Sequence, residues 1–109
     1  MKTGSIVLIP FPFSDLKSRK LRPALVVTTT KDEFEDIILC ALSSVVPEKR
    51  NDFQIPVNPT KKNGLRVESI IRVDRIVTIQ RGDIVLELGI LEKEILDKFK
   101  KSFKRLAEG

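Results

Sequence analysis

The chain has 109 residues and a formal charge of +5 at pH 7, from 20 basic and 15 acidic side chains. Its 41% hydrophobic and 32% charged residues are typical of a soluble globular protein and argue against a disordered chain. The length favours a single domain over residues 1–109. No apolar run approaches the roughly 20 residues of a membrane span, and the N-terminus lacks the pattern of a signal peptide. These features predict a cytoplasmic protein that makes no contact with a membrane.

Two absences restrict the chemistry. The sequence has no histidine, which excludes histidine-based acid–base catalysis, Ser-His-Asp and Cys-His nucleophile systems, and His-ligated zinc. Its single cysteine, Cys40, allows neither an intramolecular disulfide nor a cysteine cluster for a metal. Because Cys40 lies in an apolar run, we expect its thiol to pack as a small hydrophobic group. We therefore expect no metal site and no cofactor.

The first part of the chain predicts two strands. Residues 5–9 are apolar and rich in β-branched side chains, and Pro10 is expected to end this strand. A basic loop over residues 14–21 follows. Residues 23–29 then predict a second strand whose first residue is a proline, a position at which a missing N–H is tolerated.

The middle of the chain predicts four more strands. Residues 37–43 are apolar throughout, which favours a central strand covered on both faces or the inner wall of a closed barrel. Residues 53–57 contain a proline and favour an edge strand. After a strong turn signal at 58–64, residues 68–74 and 75–79 predict strand structure that could form one long, bent strand. Residues 84–89 predict the last strand.

From Leu91 onward, apolar residues recur at helical spacing and basic residues occupy the other face, which predicts an amphipathic C-terminal helix. Its apolar face is expected to pack on the sheet with the lysines in water; coating a membrane or an RNA is the alternative. Short strands with Gly and Pro turns, followed by one helix, predict a mainly β (α+β) fold, a small and strongly bent sheet or barrel closed by the helix.

Charge is segregated along the chain. Residues 16–22 carry four basic side chains and no acid, residues 61–75 carry five basic side chains, and residues 32–36 carry four acids. Each cluster could be a solvated turn, but a basic small domain also favours polyanionic partners. The acidic cluster could bind Mg²⁺, but it lacks the spacing of a metal-binding loop, so a solvated turn is expected.

Two polar features stand at strand ends. Pro23 restricts Arg22 to extended backbone, so the guanidinium projects from a stiff base and could bind a phosphate through two contacts. Ser43 and Ser44 end the apolar central strand. Their hydroxyls could bind the turn that follows, or they could orient a phosphate or a ribose hydroxyl.

Together these residues form an ordered pattern that resembles the MazF/PemK family of toxin ribonucleases over almost the whole chain. The segments that carry the resemblance are 4–11 (GSIVLIPF), 22–27 (RPALVV), 41–44 (ALSS), 64–69 (GLRVES), 73–79 (VDRIVTI) and 88–91 (LGIL). The resemblance implies a small SH3-like barrel of the CcdB/MazF type with a C-terminal helix. It also implies a homodimeric toxin of a type II toxin–antitoxin system that cuts single-stranded RNA without a metal and is inhibited by a cognate antitoxin.

The resemblance further implies that Arg22 and Ser43 form the catalytic pair. The expected reaction is attack of a ribose 2′-hydroxyl on the adjacent phosphate, which leaves a 2′,3′-cyclic phosphate and a 5′-hydroxyl. Arg22 would stabilise the transition state and Ser43 would orient the phosphate. The RNA backbone would be held by Lys17, Arg19, Lys20 and Ser44.

Two positions depart from the family pattern: Ser43 stands where the family has threonine, and Ser5 stands where it commonly has aspartate. The substitution at Ser43 keeps the hydroxyl and loses a methyl group. The sequence therefore also allows a non-catalytic binding module, either a CcdB-like toxin that acts by protein contact or an inactive MazF-like homologue.

Overall fold

The computed structural model of the chain describes residues 1–11 and 20–109. Within them, six antiparallel strands precede one helix. The strands are β1 (Ser5–Phe11), β2 (Lys20–Thr29), β3 (Ile37–Ser43), β4 (Gln54–Val57), β5 (Ser69–Ile79) and β6 (Leu86–Ile90). A 3₁₀ turn at Arg81–Asp83 separates β5 from β6, and helix α1 spans Lys93–Ala107. In the part of the chain that the structure describes, no helix is both long and apolar enough to cross a membrane.

The strands form one curled sheet in the order β4-β5-β3-β2-β1-β6. Register shifts interrupt the pairing of β1 with β6, of β2 with β3 and of β3 with β5. Such bulges bend a strand and increase its twist, so the sheet closes toward a barrel instead of staying flat. The predicted mainly β fold with a C-terminal helix is confirmed. So are the central place of residues 37–43, the edge position of β4 and the single long β5.

Two strands run further than the sequence predicted. β1 continues through Pro10, which lies opposite Leu21, and β2 begins at Lys20 instead of Pro23. The pairing of β2 with β3 begins only at Ala24, and β6 pairs with β1 only up to Leu8. Both prolines therefore occupy stretches paired on one side, where a missing N–H is tolerated. Of the predicted loop 14–21, residues 20 and 21 belong to β2, and residues 14–19 lie outside the described residues.

Side chains alternate between the two faces of the sheet and build two cores. The α1-side core contains Ile6, Leu25, Cys40, Leu42, Ile55, Val57, Leu65, Ile71, Val73, Leu91 and Phe99. The second core, on the other face, contains Val7, Ile9, Ala24, Val26, Ile37, Leu39 and Ile79.

Helix α1 covers the α1-side core with its apolar face, as the sequence predicted. Phe99 is fully buried and packs against Phe103 with ring centroids 5.5 Å apart. The buried Ser102 hydroxyl donates to the carbonyl oxygen of Asp52 at 2.7 Å, which fixes the helix against the segment before β4. The opposite face of the sheet is thus left free of the helix.

Candidate functional site

Arg22 is the third residue of β2, is half-buried, and lies opposite Ile9 of β1. The sequence placed it at the start of the strand; the structure places it inside a paired segment. Because β1 and the following Pro23 both hold the backbone extended, the side chain projects from a rigid base. A planar guanidinium on such a base loses little freedom when it binds an anion.

Arg22 and Ser43 lie at the same end of the sheet and on the same face. Ala24 of β2 pairs with Ala41 of β3, and Arg22 and Ser43 each lie two residues beyond that pair along their strands. Since side chains alternate with a period of two, both project to the face of the second core. The residues that the resemblance assigned as a pair are therefore brought to neighbouring positions on adjacent strands.

The Ser43 hydroxyl already has a structural contact. Its oxygen accepts a hydrogen bond from the Val45 N–H at 3.1 Å, which stabilises the turn after β3. A hydroxyl group has one donor and two acceptor sites. The proton and one lone pair of Ser43 are thus still able to contact a phosphate.

A third polar residue, Arg72 of β5, shares this face. Ser43 pairs with Ile70, and Arg72 lies two residues beyond Ile70 on the same strand. The Nε of Arg72 is buried, and within the described residues it has no hydrogen-bond partner. A buried donor left without an acceptor costs about 1–3 kcal/mol, so an acceptor from a ligand would recover that free energy.

On sequence alone, Arg72 is only one of the five basic residues of 61–75. Its signal was nevertheless present, because Arg72 is the one charged residue in the buried run Ile70-Ile71-Arg72-Val73. Arg22 and Arg72 therefore lie on the two strands that flank β3, and both project to the same face as Ser43. Two guanidinium groups beside a hydroxyl are suited to a phosphodiester, because each guanidinium can donate two parallel hydrogen bonds to phosphate oxygens.

The opposite side of β2 borders an apolar cavity of about 360 Å³. Leu21 and Pro23, the neighbours of Arg22, both line it. The complete lining is Leu8, Leu21, Pro23, Gly64, Leu65, Arg66, Val67, Ser69, Leu86 and Leu88. Leu21, Val67 and Leu86 remain 48%, 56% and 54% exposed. Such a cavity can accept apolar side chains of a partner.

A polar network, which we call the Asn63 network, holds the loop beside this cavity. The Asn63 side chain is fully buried; its oxygen accepts from the N–H groups of Thr60 and Leu65, both at 3.0 Å. Its amide nitrogen donates to the carbonyl oxygen of Asn58 at 2.9 Å and to the Glu92 carboxylate at 3.1 Å. The Thr60 hydroxyl donates to the same carboxylate at 2.6 Å. The loop is therefore tied to the residue that directly precedes α1.

These contacts change the pKa of the Glu92 carboxylate. Desolvation raises its pKa, but the hydrogen bonds from Thr60, from its own backbone N–H and from Asn63, together with the charge of Lys62, outweigh that effect and lower the pKa overall. The sequence predicted only a turn at residues 58–64, and this network was not predicted.

The other predicted RNA-binding residues fall in three places. Lys17 and Arg19 lie outside the described residues. Lys20 is the exposed first residue of β2, and Ser44 is exposed just after Ser43.

The other departure from the family pattern, Ser5, is buried. Its hydroxyl accepts a hydrogen bond from the Lys2 N–H at 3.0 Å and so stabilises the N-terminal turn.

The acidic cluster and the cysteine have structural contacts. Hydrogen bonds, above all from the Thr30 hydroxyl, lower the pKa of Asp32, whose carboxylate holds the turn together. Among residues 1–11 and 20–109, no group of three or more His, Cys, Asp or Glu side chains could hold a metal ion.

Burial, with a smaller effect of the Asp74 charge, raises the pKa of Cys40 to about 12. The expected packing of Cys40 as a small, buried group is confirmed.

Solved structures of MazF toxins share this fold. A Mycobacterium tuberculosis toxin, MazF-mt6, is 17% identical with a TM-score of 0.69, and the match covers 94% of this chain and 96% of that one. A mycobacterial endoribonuclease in complex with its cognate antitoxin is 14% identical with a TM-score of 0.73, at 99% and 95% coverage. The MazE–MazF structure from Deinococcus radiodurans is 16% identical with a TM-score of 0.77, at 99% and 96% coverage. At these identities the likeness shows a common fold.

The sequence itself decides the family. A comparison with curated proteins found no significant match. The sequence model of the PemK-like, MazF-like toxins of type II toxin–antitoxin systems, however, matches residues 2–107, nearly the whole chain. The protein therefore belongs to the MazF/PemK toxin family.

Proposed function

We propose that the protein is the toxin of a type II toxin–antitoxin system and a metal-independent endoribonuclease that cleaves single-stranded RNA. The observation that carries this proposal is the arrangement of Arg22, Ser43 and Arg72 on one face of the sheet, with a buried Arg72 Nε that no described residue satisfies. The family match and the endoribonuclease named among the similar structures support it. The absence of histidine is consistent with a mechanism that uses arginine as its main source of positive charge.

In the proposed reaction, the ribose 2′-oxygen forms a bond to phosphorus as the bond from phosphorus to the 5′-oxygen breaks. The proton of the 2′-hydroxyl leaves, the 5′-oxygen takes up a proton, and the products are a 2′,3′-cyclic phosphate and a 5′-hydroxyl. Arg22 and Arg72 stabilise the negative charge that develops on the phosphate oxygens. Ser43 donates to a phosphate oxygen and orients the group for in-line attack.

The partners follow from the same assignment. We infer that a cognate antitoxin inhibits the protein and that apolar side chains of that antitoxin occupy the cavity between Leu21, Val67 and Leu86. The antitoxin present in two of the similar structures supports this partner. We also infer that residues 1–109 act as one domain, that two chains form a homodimer, and that the toxin acts in the cytoplasm, where messenger RNA is found.

The test is cleavage of a mixed-sequence single-stranded RNA, followed by analysis of the ends. Arg22→Ala should abolish cleavage with little change in thermal stability. Arg22→Lys should restore little activity, since a point charge lacks the planar two-contact fork. Ser43→Ala should lose most activity. Ser43→Thr should retain or raise it, because the added methyl group restricts the rotamer.

The binding-module alternative makes a different prediction. Arg22→Ala protein that cleaves at the wild-type rate would contradict the catalytic assignment. If the natural protein is inactive and only Ser43→Thr cleaves RNA, the chain is an inactive member of the family. An inactive protein that still binds antitoxin through its cavity would favour the non-catalytic module.

A further inference from the structure

The C-terminal half of α1 carries a one-sided basic face. The helix holds six basic and two acidic residues, a net charge of +4, whereas the whole chain carries +5. Both acids lie in the first half, and from Lys98 to Arg105 there are five cations and no acid. Almost all of the net charge is therefore concentrated on one helix.

Only one cation of this face is neutralised by a described acid. Arg105 pairs with Asp52 of the neighbouring segment at 3.1 Å. A group of four lysines, all exposed, has no ion pair with any residue that the structure describes: Lys98, Lys100, Lys101 and Lys104. We call these four residues the lysine face.

The lysine face is unfavourable for the helix itself. Lys100 and Lys104 are four residues apart, as are Lys101 and Arg105, and like charges at this spacing destabilise a helix by about 0.2–0.5 kcal/mol per pair. The helix dipole favours cations only in the last turn, which accounts for Lys104 and Arg105. It does not account for Lys98, Lys100 and Lys101. Lys98 and Lys101 lie four residues after Glu94 and Asp97, a favourable spacing, but form an ion pair with neither acid. An anionic partner would relieve the repulsion that remains.

The apolar face of α1 decides between a membrane and a nucleic acid. An amphipathic helix binds a membrane by inserting its apolar face, but here Phe99 is fully buried and Leu96, Phe103 and Leu106 pack on the α1-side core. Only the charged side chains remain available. Such a face suits a phosphate backbone, which is bound by charge without insertion.

We propose that the lysine face is a second RNA-binding surface, separate from the candidate site. Arg22, Ser43 and Arg72 project to the face of the second core, whereas α1 covers the opposite face of the sheet. The surface contacts RNA outside the cleaved bond and so increases affinity for long RNA but not for short oligonucleotides. The choice of RNA as ligand rests on the proposed function.

The test compares the variant Lys100→Gln/Lys101→Gln/Lys104→Gln with a control that removes three exposed lysines elsewhere, Lys2→Gln/Lys31→Gln/Lys49→Gln. Glutamine and lysine have similar helix propensities, so α1 should remain folded. Circular dichroism verifies this.

Affinity is measured between about 50 and 200 mM salt on a long single-stranded RNA with 2′-O-methyl groups, which block 2′-hydroxyl attack. The α1 variant should reduce the slope of log affinity against log salt by about two, because each phosphate neutralised by a lysine contributes roughly 0.7 to the slope on a single strand. The control should leave the slope unchanged.

Cleavage provides the second readout. On a short oligonucleotide the α1 variant should keep the wild-type kcat/KM, while on long RNA its KM should rise about tenfold or more at low salt. Equal slopes for the α1 variant and the control would overturn the proposal, as would a wild-type protein that does not bind RNA. Binding to phosphatidylserine vesicles that depends on these lysines, without a change in RNA affinity, would overturn it in favour of a membrane. If the wild type cleaves nothing but the slopes differ, the proposed function fails and the second surface stands.

Discussion

Arg72 and Arg22 project to the same face of the sheet but differ in their surroundings. Arg72 extends from the inner strand β5 and has a buried Nε without a partner among the described residues, whereas Arg22 lies near the open end of β2. A side chain that costs free energy in the folded chain is expected to recover it with a ligand. At the scale of single residues, Arg72 is therefore the strongest candidate to assist the predicted pair.

Arg72→Ala should lower kcat/KM for RNA cleavage by about 10- to 100-fold, the equivalent of about 1.5–3 kcal/mol for a hydrogen bond to a charged phosphate. It should not lower the melting temperature appreciably, because it removes an unsatisfied buried donor. Arg75→Ala, an exposed arginine on the same strand, is the matched control. Loss of stability with unchanged cleavage would give Arg72 a purely structural role.

Cys40 provides a second test at this scale. Its thiol is buried, its pKa is raised to about 12, and its sulfur donates to the carbonyl oxygen of Val73 at 3.4 Å. Because the thiolate is the reactive form, a thiol reagent should modify the folded protein far more slowly than the protein in denaturant. The raised pKa also implies that the free energy of unfolding decreases as the pH rises from about 9 toward 12. Rapid labelling of the native protein at neutral pH would contradict the burial of Cys40.

At the scale of elements, the Asn63 network connects the loop before β5 to the start of α1. Gly64 takes a positive φ of +72°, and a Cβ there would lie 2.3 Å from the Leu88 carbonyl oxygen. The Ile90 N–H donates to the Lys62 carbonyl oxygen at 2.9 Å. The loop that lines the cavity is thus fixed by side-chain and backbone contacts together.

Asn63→Ala should destabilise the protein by about 3 kcal/mol, because the buried N–H of Leu65 and the partly buried N–H of Thr60 lose their acceptor. Thermal or urea unfolding measures the change. If the loop also shapes the cavity, antitoxin affinity should fall while cleavage of a short RNA remains. A variant with wild-type stability would contradict the network.

Glu92 makes the network pH-dependent. Its pKa is lowered in the folded state, so its contribution is present above the unfolded-state value near 4.5 and is lost as the pH falls through the folded-state value. The free energy of unfolding should therefore decrease below about pH 4.5 in the wild type and decrease less in Glu92→Gln. Glu94→Gln, an exposed neighbour, should follow the wild type. Identical pH profiles for wild type and Glu92→Gln would rule out this role.

At the scale of the whole molecule, residues 1–11 and 20–109 leave apolar surface on the outside. Besides the residues that border the cavity assigned to the antitoxin, Phe34, Val45 and Ile76 are also exposed. Apolar groups of this kind favour association with another chain. We therefore expect the free toxin to be a homodimer.

Sedimentation equilibrium at micromolar concentration should give twice the mass of the 12.4 kDa chain. A mass of one chain over the whole concentration range would contradict the homodimer and leave the apolar surface to the antitoxin alone.

Removal of metal ions tests the reaction type. The proposed mechanism relies on arginine charge and a serine hydroxyl, so cleavage should persist at the same rate in excess EDTA. Loss of activity in EDTA and its recovery with Mg²⁺ would contradict the mechanism and point to the acids of residues 32–36.

Local patterns in the sequence are enough to predict the fold class, the strands β3, β4 and β5, and the packing of α1. The signals are local ones: runs of β-branched residues, Pro and Gly at the turns, and the helical spacing of Phe99 and Phe103. The ordered segments also determined the family, through a resemblance that needs no three-dimensional contact. The extent of β1 and β2 was not determined in this way, because tolerance of Pro10 and Pro23 depends on which neighbouring strand pairs with them.

The position of the site residues relative to one another depends on tertiary contacts. Arg22, Ser43 and Arg72 are far apart in sequence, and only the registers of β2 with β3 and of β3 with β5 place them on one face. The same holds for Asn63 and Glu92, which are 29 residues apart and meet because β6 returns the chain to the loop. Register is set by long-range pairing and by bulges, and a shift of one residue would turn each side chain to the opposite face of the sheet. For that reason the resemblance named Arg22 and Ser43, whereas the charge of Arg72 within an apolar run was a weak signal, and its role became visible only from its neighbours.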